Sequence, residues 1–221
     1  MANATDTYTE EFLPVPPFVE GNPKGLIIGT FPPARERWDY PFFFPNRQNR
    51  LWNTLARVAS DNVQYSLPTL RDADREVEAR KNILRQLDCA MVNIIRRCTR
   101  KNGSALDNDL TVLELEDIVH GYLLPNIGID RIYLTSLSGG NSCLSLLKRH
   151  LRELGISSQA HRRADNSRQG KIADPLEFSF DLGGRVIAVY SLFSPSPTAM
   201  RSGITEQVLY DQYIIIRRAL P

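Results

Sequence analysis

The densest chemical signal lies in one long loop. It begins Gly29-Thr-Phe-Pro-Pro33 and continues Tyr40-Pro-Phe-Phe-Phe-Pro-Asn-Arg-Gln-Asn-Arg-Leu-Trp52. Aromatic faces stack on flat heterocycles, at roughly 1–3 kcal/mol per base. Phe43 and Phe44 are therefore candidates to hold a base. The competing reading is that Phe42 to Phe44 and Trp52 pack a small core beneath the loop. Asn93 closes a second apolar run, where its carboxamide, both donor and acceptor, can meet a base edge. An Asn there can equally satisfy its own loop backbone. Arg96, Arg97, Arg100 and Lys101 follow as the sharpest basic cluster in the chain. Beside a base pocket such a cluster reads as a phosphate contact, and elsewhere as solvated charge.

Two further loops carry weaker signals. Ser138-Gly-Gly-Asn-Ser142 joins an apolar run to a helix start, where backbone N–H groups can hold a phosphate or simply make a capped turn. It lacks the glycine spacing of a dinucleotide or P-loop motif. Ser194-Pro-Ser-Pro-Thr-Ala-Met-Arg-Ser-Gly203 is stiffened by two prolines. Its small residues Ser196 and Thr198 permit close approach of a strand, and Met200 and Arg201 can probe a groove. His161, Arg162, Arg163, Arg168 and Lys171 form a second basic stretch. His120, His150 and His161 show no metal-ligand spacing, and Cys89, Cys98 and Cys143 form no Cys-x-x-Cys pair, so no metal is expected.

The elements that must position these loops follow from apolar patterning. Runs near 25–30, 89–94, 130–135 and 186–192 read as four short buried strands, with a hairpin turn at Gly183-Gly184. Helical patterning covers 50–59, 72–86, 112–123, 143–154 and 205–218. Strands alternating with helices predict a three-layer α/β/α domain over 25–221, with a mostly parallel four-stranded central sheet. Residues 1–24, polar and then proline-rich, read as an extended lead-in. Ligands of such sheets bind beyond the carboxyl ends of the strands, which points to the loops after Thr30, Asn93, Thr135 and Ser191.

The bulk properties agree with a compact enzyme or binding module. The chain has 221 residues, 42% of them apolar, and a net charge of +2, so nucleic-acid affinity must come from local patches. Its start lacks a secretory-signal pattern, and no run approaches the ~20 apolar residues that span a bilayer. A monomeric cytoplasmic protein is expected.

Taken together, the loops resemble the uracil-DNA glycosylase superfamily, and within it the hypoxanthine-DNA glycosylase branch and its mismatch-specific relatives. The resemblance runs from about Leu13 to Ala219. Leu13-Pro-Val-Pro-Pro is similar to that branch's start, and Gly29, Thr30, Phe31 and Pro32 to its first motif, which implies a base pocket. Phe44-Pro-Asn-Arg-Gln-Asn-Arg-Leu-Trp52 resembles the Pro-x-Asn-x-Phe-Trp signature, with two extra residues and Leu51 for Phe. Cys98 to Asp107 resembles Cys-x-Arg-x-Gly-Ser-Leu-Asp. Ser194-Pro-Ser-Pro matches the second motif, His-Pro-Ser-Pro, except at its first residue.

The resemblance implies base flipping in damaged DNA and hydrolysis of the N-glycosidic bond, for base excision repair, without a cofactor. It also implies that Asn49 positions water where Phe31 replaces the usual Asp or Asn. Ser194 stands where the uracil branch has its leaving-base histidine. Thr198 replaces the leucine wedge, with Met200 as a substitute. The leading expectation is excision of hypoxanthine or uracil. A glycosylase-fold module that binds DNA or a nucleobase without chemistry, and a hydrolase of free nucleosides, are the alternatives.

Overall fold

The structure is a computed structural model that describes residues 7–104, 106–161, 175–201 and 203–218. Its strands are Tyr8–Phe12 (β1), Gly25–Gly29 (β2), Cys89–Asn93 (β3), Ile95–Lys101 (β4), Leu110–Leu115 (β5), Arg131–Leu134 (β6), Ser158–Ala160 (β7), Leu176–Leu182 (β8) and Arg185–Ser191 (β9). Its helices are Leu51–Ser60 (α1), Ala73–Gln86 (α2), Cys143–Glu153 (α3), Pro197–Arg201 (α4), Glu206–Tyr213 (α5) and Ile215–Arg218 (α6).

The central sheet runs β3-β2-β6-β9-β8-β7. The first four strands are mutually parallel and coincide with the four apolar runs. Among the described residues the sheet has six strands rather than four. β8 joins β9 through the Gly183-Gly184 turn, where both residues have positive φ, and β7 extends the antiparallel side.

Alternation along the strands divides the core into two. Leu26, Ile28, Val92, Ile132, Leu134, Ile187 and Val189 face one side, where Leu146, Leu147 and Leu151 of α3 cover them. Ile27, Met91 and Tyr133 face the other, under Leu55 of α1, Leu84 of α2 and Leu209 and Tyr213 of α5. Burial on both faces is what makes these strands read as near-continuous apolar runs.

Several expectations change. The segment 112–123 is not one helix: Leu110–Leu115 is a strand, and only Val119–Leu123 is helical. Apolar residues at 112, 115 and 119 fit helical spacing, but pairing with β4 overrides it. The basic segment from Arg96 is likewise not a loop, since residues through Lys101 form β4. β4 lies between β1 and β5 in a second, antiparallel sheet, so the lead-in contributes a strand. The closing helix is also interrupted, at Ile214. Among the described residues, no helix is long and apolar enough to cross a membrane.

Candidate active site

A cleft of about 960 Å³ opens across the carboxyl ends of the parallel strands. It is lined by the residues that follow each strand: Thr30 to Pro33 after β2, Asn93 at the end of β3, Thr135 to Ser138 after β6, and Phe193 to Ala199 after β9. Phe44, Asn49 and Asp107 also stand on its walls.

The register sets the floor. Parallel pairing places Gly29 beside Asn93. A Cβ on Gly29 would lie 2.5 Å from Asn93 Oδ1 and 3.0 Å from Phe44 Cζ. Glycine is required there by this close approach, not by an unusual φ. The amide and the ring tip, both on the cleft wall, therefore meet over Gly29, which is itself buried and does not line the cleft. Asn93 is 5% exposed, and its carboxamide forms no hydrogen bond among the described residues. The amide opens onto the cleft, where its donor and acceptor are presented to a ligand.

Phe44 owes its direction to its backbone. Its φ is +47°, rare for a residue with a Cβ. The conformation is held by neighbours. Tyr40 Oη donates to Phe44 O at 2.5 Å, and Trp52 Nε1 donates to Phe43 O at 2.8 Å. Burial pushes the Tyr40 phenol up to about 12, so it stays a donor. The Arg80 guanidinium lies 3.7 Å from the Tyr40 ring centroid, and Arg80 pairs with the buried Glu76. Phe42 and Phe43 turn inward instead, Phe42 stacking on Trp52 at 5.7 Å. Phe43 is fully buried and does not line the cleft, so of the pair Phe43 and Phe44 only Phe44 reaches it.

Asn49 lines the cleft next to α1. Its Oδ1 accepts the Leu51 N–H at 2.9 Å, an Asx-type turn that leads the chain into α1 and commits the amide oxygen. Nδ2 is left as a donor with no partner among the described residues. The neighbouring Arg50 N–H donates to Pro195 O at 2.9 Å, tying this wall to the Ser194 loop. Ser194 Oγ accepts weakly from Ser196 N at 3.4 Å, and Ser196 Oγ from Ala199 N at 3.3 Å at the start of α4. Thr198 and Arg201 line the cleft, whereas Met200 packs back on the second core.

The basic cluster is not on the cleft. Arg100 is 1% exposed. Its Nε and Nη2 bind the Glu11 carboxylate at 2.7 and 3.0 Å, Nη2 reaches Pro32 O at 2.7 Å and Nη1 reaches Ser104 O at 2.6 Å. Arg100 is thus a brace behind the cleft wall and is not available to a phosphate. Arg96 pairs with Glu114, and Arg97 with Glu10 and Glu114, as cross-strand ion pairs. Lys101 ends β4 opposite Tyr8. None of the four lines the cleft. The basic residues that do are Arg37 and Arg201, neither in an ion pair among the described residues. Arg37 was not a sequence candidate, because Arg35-Glu36-Arg37 alternates in charge and does not form a basic run. Of the second basic stretch, Arg162, Arg163, Arg168 and Lys171 lie outside the described residues.

Phe31 is 8% exposed and packs into the first core, with the Arg100 guanidinium 5.7 Å from its ring. Its ring offers no hydrogen-bond acceptor to a water. Asp107 does offer one. Thr30 Oγ1 donates to its two carboxylate oxygens, 3.0 Å from each. Burial raises the Asp107 carboxyl to about 6, against the lowering effects of Thr30 and Arg100. The sequence held Asp107 only as the last residue of a motif. Its partner Thr30 is 77 residues away, so nothing local announced the pair. Among the described residues, no three His, Cys, Asp or Glu side chains group as metal ligands would.

A mostly parallel α/β sheet with one cleft across its carboxyl edge defines the class. No protein-family model and no curated protein sequence matches the chain. Among solved structures it is similar to the solution NMR structure of a Methanosarcina acetivorans protein provisionally assigned as a uracil DNA glycosylase. The TM-score is 0.55 and the identity 14%, over 92% of this chain and 96% of that one. At that identity the likeness is one of fold, a uracil-DNA-glycosylase-like α/β arrangement.

Proposed function

We propose that the protein is a DNA glycosylase that hydrolyses the N-glycosidic bond of a flipped-out deaminated base, hypoxanthine or uracil. The observation that carries this reading is the convergence of the Phe44 ring and the unpartnered Asn93 amide over Gly29. A ring beside a free donor–acceptor edge suits a planar base with amide-like edges. The fold shared with the archaeal protein supports the same reading.

Each role follows from what the side chain offers. Phe44 stacks on the base and Asn93 reads its edge. Asn49, with its oxygen committed to Leu51, donates from Nδ2 to the water or the departing base. Ser194, on the cleft wall, donates its hydroxyl proton to a hydrogen bond with the leaving base. Holding water and developing charge in fixed geometry lowers the barrier without reorganisation at the moment of bond cleavage. Arg37 and Arg201 contact the flanking phosphates.

The test is single-turnover incubation with oligonucleotides carrying hypoxanthine, uracil or a mismatched base, followed by alkali to cut abasic sites. Wild type should cut at least one. Asn49→Ala should lower excision at least about a hundredfold, ~2.7 kcal/mol of barrier, with binding little changed. Asn93→Ala should instead flatten the preference among bases. The burial of Phe31 favours a second reading, a module that binds a flipped base without cleaving it. Tight binding with no excision of any base would select that reading.

A further inference from the structure

Asp107 begins a single turn, Asp107–Asp109, between β4 and β5. That turn is braced from two sides. Asn141 Nδ2 donates to Asp107 O at 2.9 Å and to Leu110 O at 2.7 Å. Ser104 Oγ donates to Asp109 Oδ2 at 2.6 Å, and Ser104 O is itself held by Arg100. Its carboxylate faces the cleft and shares the Thr30 hydroxyl between its two oxygens. A hydroxyl has one proton, so most of the acceptor capacity of the carboxylate is unused.

The charges around it leave it unpaired. Arg100 of β4 spends its guanidinium on Glu11 and two backbone carbonyls, and gives no hydrogen bond to Asp107. Cys143 of α3 is a neutral thiol, pushed up to about 12 chiefly by burial. Asp109, on the same turn, is bound by Ser104. Arg37 and Arg201 line the cleft without forming an ion pair among the described residues. A carboxylate held purely for structure would be hydrogen-bonded by a cation or by backbone N–H donors. Asp107 feels the Arg100 charge, but among the described residues its carboxylate is hydrogen-bonded by the Thr30 hydroxyl alone.

We propose that Asp107 is the general base of the reaction, with Thr30 as its positioning residue. The inference rests on the glycosylase reading and deepens it. The bond from the sugar carbon to the base nitrogen breaks, and its electron pair leaves with the base. A water oxygen bonds to that carbon and passes one proton to the Asp107 carboxylate. The proton then moves to the departing base or to solvent, leaving a free base and an abasic sugar. Asn49 Nδ2 supplies the donor to the water oxygen, and Asp107 the acceptor for its proton. Desolvation raises the carboxyl to about 6, which suits a base that must take up and release a proton in each turnover.

The experiment uses the full chain and the best oligonucleotide substrate, with single-turnover rates from pH 4.5 to 9. In wild type the rate should rise about tenfold per pH unit up to about pH 6, then level. Asp107→Asn should lose that acid limb and be at least a hundredfold slower at pH 7.5, while binding of a non-cleavable 2′-fluoro analogue changes less than about threefold. Thr30→Val removes the hydrogen bond that favours the ionised form, and should move the midpoint upward while retaining a limb. Asp107→Glu should recover part of the rate and restore a limb. An Asp107→Asn rate within threefold of wild type, or the same acid limb in that variant, overturns the assignment and leaves the glycosylase reading intact. So does a loss of binding as large as the loss of rate. Absence of excision by wild type on every substrate overturns both.

Discussion

Gly29→Ala tests the cleft floor with the smallest change available. The added methyl would sit 2.5 Å from Asn93 Oδ1, 3.0 Å from Phe44 Cζ and 3.4 Å from Phe44 Cε2. The first distance is far inside van der Waals contact, so Asn93 must rotate or β2 and β3 must part. Asn93 is buried and pairs in register with Gly29, so rotation is the cheaper route. An off-rotamer side chain costs ~0.5–1.5 kcal/mol, and overpacking in general ~1–3 kcal/mol. The variant should therefore lose roughly 1–3 kcal/mol in urea unfolding. Displacing the amide should also remove base discrimination worth ~1–3 kcal/mol, about 5- to 150-fold in relative single-turnover rates. Gly140→Ala is the control, because a Cβ there meets nothing within 4 Å. It should be neutral or slightly stabilising. A Gly29→Ala protein with wild-type unfolding and undiminished base preference would refute the account of the floor.

Other expectations follow from the brace, the acid and the rim. Arg100→Ala removes one half of a buried pair and should cost about 3 kcal/mol or more in chemical denaturation, because Glu11 and two carbonyls lose their donor. Asp107→Asn should stabilise the protein at pH 7–8. The carboxyl is raised from 3.8 to about 6, so the folded state disfavours its ionised form by roughly 3 kcal/mol. That penalty is full above about pH 6 and vanishes as pH falls to about 4, so the unfolding curves of variant and wild type should converge at acid pH. Curves that stay parallel would contradict the burial of this charge. Arg37→Ala and Arg201→Ala should each weaken DNA binding and reduce its salt dependence by about one phosphate contact. Arg96→Ala and Arg97→Ala, already paired with glutamates, should change neither, as fluorescence anisotropy across a salt series will read.

The parts of the fold legible in the sequence are those where burial alone decides. β2, β3, β6 and β9 are covered on both faces, so they appear as apolar runs, and the cleft loops follow directly from their ends. The small sheet was hidden because its strands are held by charge. β4 reads as a basic loop until its arginines meet Glu10, Glu11 and Glu114, all distant in sequence. Phe43 and Phe44 are chemically identical neighbours. A left-handed backbone at one of them, set by Tyr40 and Trp52, decides which ring enters the core and which the cleft. Asp107 was visible as a residue but not as an acid near neutrality, because its burial comes from elements that are close only after folding.

The pairing of β1 with β4 also sets a schedule for synthesis. Glu11 and Arg100 are 89 residues apart. At a translation rate of ~5–20 residues per second, the first strand waits roughly 5–20 s for its partner to leave the ribosome. Through that interval it is a lone segment with two large aromatics, Tyr8 and Phe12, which remain 59% and 66% exposed even in the folded protein. Glu10 and Glu11 lie between them and act as gatekeepers, keeping the nascent strand soluble until β4 arrives. The same carboxylates that later neutralise the arginines thus first serve as a solubility guard, and replacing them with β-branched residues would be felt in the yield of folded chains before it is felt in their stability.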